Sequence, residues 1–126
     1  MDVMNDSKVI LLVEDNVEHA QAISDLISME TPHRVLMADS QGALKFVQLY
    51  KPDLLLLDYL LDGITGIILY DHLHANHQLE DVPAVIISAA LDQCKEDLKH
   101  RGLHGLKKPI DTDELLSLIG ELLAKS

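Results

Sequence analysis

Short apolar runs along this chain each hand over to groups that could do chemistry. VILLV at 9–13 is followed by Glu14, Asp15 and Asn16. LLLL at 54–57 ends on Asp58, and AVII at 84–87 is followed by Ser88, Ala89 and Ala90. A weaker piece, Gly105 and Leu106, is followed by Lys107, Lys108 and Pro109. Carboxylates held close together repel, and each is costly to keep ionised alone. A hard divalent cation resolves that cost, since Mg2+ takes oxygen ligands, often one or two carboxylates with waters and phosphate oxygens. An aspartate can also act as a nucleophile and form an aspartyl-phosphate. Phosphoryl transfer asks a protein mainly for positioning and charge neutralisation. Mg2+ and a lysine supply the positive charge, and a serine hydroxyl can donate to a phosphoryl oxygen. Taken singly, each group has a plainer reading: an acid after a strand is often a helix cap, a lone serine structural, a lysine before proline solvated. It is their joint placement, at the ends of runs of one kind, that argues for chemistry.

Convergence requires a scaffold. The runs at 9–13, 35–38, 54–57 and 84–87 are unbroken by polar residues, as in strands buried on both faces. Helical patterns lie between them. Asn16 can cap a helix over Val17 to Met29, with Ala20, Ile23, Leu26 and Ile27 on one face, ended by Thr31-Pro32. Ser40 can cap a second, with Ala43, Phe46, Val47 and Tyr50 on a face. A third runs from about Gly66 to Asn76 and a fourth from about Leu91 to Arg101. The last starts near Thr112 and carries Leu115, Leu116, Ile119, Leu122 and Leu123 at helical spacing. Strand–helix order, repeated throughout, implies an α/β domain whose parallel sheet is covered by helices on both faces. In such sheets function collects at the carboxyl ends of the strands.

The 126 residues fit one ordinary domain, expected to span 1–126. No apolar stretch approaches the ~20 residues needed to cross a bilayer, and MDVMNDSK does not read as a secretion signal. A net charge of −11 disfavours phosphate backbones, so no direct nucleic-acid binding is expected. The single cysteine, Cys94, rules out a disulfide within the chain and fits a reducing cytoplasm. No neighbouring motif gives Cys94 a redox role.

LLVEDN at 11–16, LLLLD ending at Asp58, Gly66, VIISAA at 85–90 and KKP at 107–109 give the chain a specific resemblance. In this set and order it resembles the receiver domain of bacterial two-component response regulators, over essentially its whole length. The resemblance implies a five-stranded flavodoxin-like α/β fold with strand order 2-1-3-4-5. It implies that Asp58 accepts a phosphoryl group from a histidine kinase or a histidine phosphotransfer protein. The chain would then catalyse only its own phosphorylation and dephosphorylation, and pass the signal to a downstream protein target. Asp15 and Asp58 resemble the family's direct Mg2+ carboxylates, with Mn2+ able to substitute. The main-chain carbonyl of Leu60 takes the usual third protein ligand position, and Glu14 acts through metal-bound water. Ser88 matches the hydroxyl that moves onto the phosphoryl group, and Lys108 the lysine that pairs with it, because the family's lysine directly precedes proline. The Lys108–Pro109 bond is a candidate cis peptide.

The chain departs from the family at several places. Gly105 stands where the family usually has an aromatic residue that swings inward when the hydroxyl residue moves. His104 is the neighbouring candidate for that role, against the plainer reading of a partly exposed strand histidine. Asp62 stands where proline is common, and Asp62-Gly63 reads as a turn. Leu60 and Ala90 occupy positions where the family tunes hydrolysis of the aspartyl-phosphate; being apolar, they give an attacking water no help. His72, His74 and His77 read as a solvated helix end rather than a zinc site, since only His74 and His77 share a stripe. Dimerisation through the side of the fourth and fifth helices is common in the family, and Leu118 and Leu122 leave it open. Two other functions compete. One is a receiver-like scaffold that binds partners without phosphorylation. The other is a phosphatase of the haloacid-dehalogenase type, which would need a second aspartate where Leu60 stands and a cap domain for which the chain has no room.

Overall fold

Strands and helices alternate in the computed structural model, which describes residues 7–77 and 79–124. In chain order these are β1 (Val9–Val13), α1 (Val17–Glu30), β2 (Arg34–Ala38), α2 (Ser40–Leu49), β3 (Leu54–Asp58), β4 (Leu60–Leu61), β5 (Ile64–Thr65), α3 (Gly66–His77), β6 (Ala84–Ser88), α4 (Lys95–Arg101), β7 (His104–Lys107) and α5 (Thr112–Ala124). A single 3-10 turn, Leu91–Cys94, leads into α4. The main sheet runs β2-β1-β3-β6-β7, and every pairing in it is parallel. This is the expected 2-1-3-4-5 order of a flavodoxin-like fold.

Side chains alternate across the pleat, so each central strand feeds two cores. Leu55 and Leu57 pack with α2, α3 and α4, whereas Leu54 and Leu56 pack with α1 and α5. All four leucines are fully buried, each contributing about 1.5–3 kcal/mol of transfer free energy. Only β3 and β6 are buried along their whole length. β2 and β7 form the sheet edges, which is why the 35–38 run is half-exposed rather than buried as expected.

The helix ends follow local chemistry. Asn16 caps α1, its side chain accepting from the His19 N–H. The cap of α2 is Asp39, not Ser40: its carboxylate accepts from the Gly42 N–H at 2.7 Å. Ser40 is the first residue inside the helix, and its buried Oγ has no hydrogen-bond partner. The expected fourth helix is split, because Leu91–Cys94 winds as a 3-10 turn before α4 begins. Gly102 ends α4 in the left-handed conformation at φ 67°, its N–H returning to the carbonyls of Leu98 and Lys99. On α5 the buried stripe is Leu115, Ile119, Leu122 and Leu123, and Leu116 lies off it. Leu122 is buried in this chain's own core, and Leu118 is partly buried against the same core.

The one element not expected is a small antiparallel hairpin after β3. Leu60 pairs with Thr65 and Leu61 with Ile64, around Asp62 and Gly63, the latter at φ 75°. The Asp-Gly turn signal is what closes it. Among the described residues no helix is long and apolar enough to cross a membrane.

Candidate functional site at the carboxyl edge of the sheet

Register decides which groups meet. Val13 lies opposite Leu57, so the residues that follow, Glu14 and Asp58, leave the sheet side by side. Asp58 lies opposite Ile87, and Ser88 opposite Lys107. The carboxyl ends of β1, β3, β6 and β7 thus bring Glu14, Asp15, Asp58, Ser88 and Lys108 to one edge.

Asp58 is only 4% exposed, and Glu14 is likewise buried. Buried carboxylates need partners, and Lys108 serves both. Its Nζ lies 2.7 Å from Asp58 Oδ1 and 3.7 Å from Glu14 Oε1. Burial disfavours the Lys108 charge, but the hydrogen bond and charge of Asp58, with help from Glu14, outweigh it and lift the ammonium above the ordinary lysine value. Lys107, its neighbour, points to solvent. The Lys108–Pro109 peptide is cis, as the sequence anticipates. The second Glu14 oxygen accepts from the Asn16 N–H at 3.1 Å.

Asp15 is turned elsewhere. Its Oδ2 accepts from the backbone N–H of Asp62 at the hairpin turn. Asp62, read as a turn acid, thereby holds a site residue through its main chain; the Asp-Gly pair signalled the turn but not this contact. Leu60 sits in β4 with its side chain in solvent. Ser88 is buried, and its Oγ accepts from the Ala90 N–H at 3.0 Å. The Ser88 carbonyl in turn accepts from the Lys108 N–H at 3.0 Å, tying the serine's backbone to the lysine's.

Gly66 has a packing role that the sequence motif alone does not explain. A Cβ at this position would fall 2.3 Å from the main-chain oxygen of Asp58. Its N–H donates to the Tyr59 carbonyl at 2.8 Å. The first residue of α3 is therefore pressed against the backbone of Asp58, which only glycine permits.

Among the described residues no group of three or more His, Cys, Asp or Glu converges as a ready metal site. Lys108 takes Asp58 and Glu14, and Asp15 is held by the hairpin. The residues nevertheless fit Mg2+ by donor type and charge. Three carboxylates against one ammonium leave an excess of negative charge, and carboxylate oxygen is the ligand a hard cation takes.

The remaining candidates lie away from this edge. Gly105 is on β7, with the side chains of Leu91 and Leu98 lying over it. His104 is exposed. His74 stacks on Tyr70 at 5.2 Å between ring centroids, and the side chain of His77 lies outside the described residues. Cys94 is buried, and that burial pushes its thiol pKa up, disfavouring the thiolate.

Residues 10–120 match the family described as response regulator receiver domain. The phosphate regulon transcriptional regulatory protein PhoB of Pseudomonas aeruginosa is 28% identical over 124 residues, covering 94% of this chain and 53% of that protein. A probable transcriptional regulator of Pyropia yezoensis, ycf29, is 28% identical over 92% of this chain and 53% of its own length. The chain thus spans about half the length of these two relatives, and 16% of an uncharacterised 76.5 kDa protein of Thiocystis violacea. The polar-differentiation response regulator DivK of Brucella anthropi is 25% identical over 92% of this chain and 96% of its own. Among solved structures, a Francisella response regulator receiver domain superposes with a TM-score of 0.83 at 24% identity, covering 94% of this chain and 98% of the other. Chemotaxis protein CheY4 of Vibrio cholerae superposes with a TM-score of 0.82 at 22% identity, covering 92% and 98%.

Proposed function

The chain belongs to the response regulator receiver-domain family, and on that premise we propose that it is a phosphoacceptor switch whose acceptor is Asp58. One observation carries the reading: Asp58, buried at the end of a fully buried strand, is met at 2.7 Å by Lys108 and flanked by Glu14. A carboxylate so placed can attack a phosphorus atom while a fixed cation takes up the charge of the transferred group.

In the proposed reaction a carboxylate oxygen of Asp58 forms a bond to the phosphorus of a phosphohistidine, and the P–N bond breaks. The electron pair stays with the donor's imidazole, which, carrying a proton on its other ring nitrogen, leaves as neutral histidine. The donor is a histidine kinase or a histidine phosphotransfer protein. Asp15, Asp58 and the carbonyl of Leu60 would hold Mg2+ directly, and Glu14 would act through water. The ion supplies charge neutralisation at the phosphoryl oxygens. Lys108 keeps its contact with the modified Asp58, and the Ser88 hydroxyl turns to donate to a phosphoryl oxygen. Leu60 and Ala90 bring no polar side chain to orient an attacking water, so the aspartyl-phosphate hydrolyses slowly.

Beside Lys108 lies a hollow of about 470 Å3 with apolar walls from Ile23, Ala89, Pro109 and Ile110. Val17 at the start of α1 is 74% exposed and Leu60 75%. The apolar hollow beside Lys108 and Glu14 suits a docking protein that must bring its phosphohistidine to Asp58 and exclude water.

The test is intact-mass measurement after incubation with acetyl phosphate and Mg2+. The proposal requires one added phosphoryl group, absent in Asp58→Asn and absent without the metal. A chain that gains none from small donors or from a cognate kinase is a scaffold. A scaffold would also bind its partner equally well as wild type and as Asp58→Asn.

A further inference from the structure

Gly105 leaves a bare stretch of backbone on β7, and the structure shows what covers it. A Cβ at this position would lie 2.6 Å from Leu91 Cδ1 and 3.0 Å from Leu98 Cδ1. Both leucines are thus seated where a side chain at 105 would begin. Leu98 belongs to α4, and Leu91 opens the 3-10 turn that leads into it. Leu91 is also one residue from Ala90, whose N–H donates to the Ser88 hydroxyl.

These contacts form a short chain from the site to the far edge of the sheet. Ser88 Oγ holds the Ala90 N–H, Ala90 fixes the start of the turn, and the turn sets Leu91 down on Gly105. The hydrogen bonds within the turn are local, Gln93 N–H to the Ala90 carbonyl and Cys94 Sγ to the Leu91 carbonyl. They keep its shape. The Ser88 hydroxyl and the Leu91 seat hold the start of the turn against the sheet, and Cys94, buried in the same core, holds its end.

We infer that Leu91 is the residue that carries the state of Asp58 to β7 and α4. The inference rests on the phosphoacceptor reading. When the Ser88 hydroxyl turns to a phosphoryl oxygen on Asp58, the Ala90 N–H loses its acceptor. The turn is then released at its start, and Leu91 lifts from Gly105. The leucine seat is held by packing alone, so releasing the turn would exchange the seated arrangement for a lifted one, a discrete change of the kind that transmits a local signal. Leu91 touches none of the reacting atoms and acts through the Ala90 backbone, as a positioning residue.

The experiment compares backbone amide spectra of the full chain with and without beryllofluoride and Mg2+, a non-hydrolysing stand-in for the phosphoryl group. In wild type, loading shifts the amides of 90–98 and of 104–107. Leu91→Ala gains the acetyl-phosphate phosphoryl group to within about twofold of wild type, but its 104–107 response falls at least about threefold. Leu91→Met, close in volume, keeps the response. Gly105→Ala, with neither beryllofluoride nor metal, already has its 91–98 amides displaced toward the loaded positions, because the new methyl unseats Leu91. A full 104–107 response in a loaded Leu91→Ala protein overturns the inference, and so does an unchanged 91–98 region in Gly105→Ala. If intact mass shows no phosphoryl gain on wild-type Asp58, the phosphoacceptor reading itself fails, and the relay with it.

Discussion

Lys108 and Asp58 meet at 2.7 Å, with Glu14 a further 3.7 Å contact of the same ammonium. One cation therefore serves two buried carboxylates. Lys108→Met leaves both uncompensated, the costly case for a buried pair. The lysine side chain is 27% exposed, so solvent softens the loss to about 1–2 kcal/mol. Urea denaturation at neutral pH measures it, and a midpoint equal to wild type would show that the pair does not hold the site.

Gly66 sets a steric limit beside Asp58, the proposed phosphoacceptor. Its missing Cβ would stand 2.3 Å from the Asp58 carbonyl oxygen, a backbone atom with no rotamer to escape into. Gly66→Ala is expected to destabilise the fold by about 1–3 kcal/mol, in the range of core overpacking, and to slow phosphorylation by acetyl phosphate. Gly63→Ala, where a Cβ meets open space, separates this from a backbone effect. It suffers only from its positive φ and leaves the phosphorylation rate near wild type.

The proposed Mg2+ role of Asp15 should be visible without phosphorylation. A ligand that binds only the folded chain raises its stability, by about 2.7 kcal/mol at a hundred times its dissociation constant. Mg2+ is therefore expected to raise the thermal midpoint of wild type. In Asp15→Asn most of that rise disappears while the metal-free midpoint changes little. Equal Mg2+ responses in the two proteins would remove Asp15 from the metal set.

The start of α2 offers a paired test. Asp39→Ala loses the side chain that accepts from the Gly42 N–H and should cost about 1 kcal/mol. Ser40→Ala removes a buried hydroxyl that has no partner, and is expected to be neutral or slightly stabilising. Chemical denaturation of both variants decides which residue is the cap.

Arg101 joins α4 to α3 through a two-pronged contact with Asp71, both bonds at 2.8 Å. The guanidinium's hydrogen bonds hold the Asp71 carboxyl below its usual range, against a smaller opposing effect of burial. A depressed carboxylate stabilises the fold above its unfolded pKa and ceases to as pH falls through the folded value. The stability gap between wild type and Arg101→Gln is therefore expected to be present at neutral pH and to close as pH drops below about 4. Asp71 is 45% exposed, so solvent limits the gap to roughly 0.5–1 kcal/mol. A gap that widens with acid would reverse the assignment.

The runs of β1, β3 and β6 were legible because burial on both faces leaves almost no room for polar residues, and the order of the runs along the chain suffices for a parallel sheet. Asp58, Ser88 and Lys108 were legible for the same reason, each being the first polar side chain after a run or beside the proline that follows one. The placement of Asp15 was not. Its contact with the Asp62 N–H depends on a hairpin of two-residue strands, too short to show a period. Ser40 was a reasonable cap by residue type, but Asp39 offered a stronger acceptor one position earlier. Leu91 was hidden for another reason. Its neighbour Gly105 shows in the sequence only as a missing side chain, and what fills such a space is decided by chain segments far apart in order.

The division of the leucine run between two cores has a consequence for how this chain can diverge. Leu55 and Leu56 are consecutive, yet one packs among α2, α3 and α4 and the other between α1 and α5. Substitutions in separate cores that share no partner add with little coupling. The surface around α1, beside the hollow next to Lys108, can therefore drift while the seat of Leu91 on Gly105 keeps its packing, and the reverse. With the sheet as insulation between them, a lineage can alter the proposed donor-docking surface without disturbing the proposed relay through Leu91.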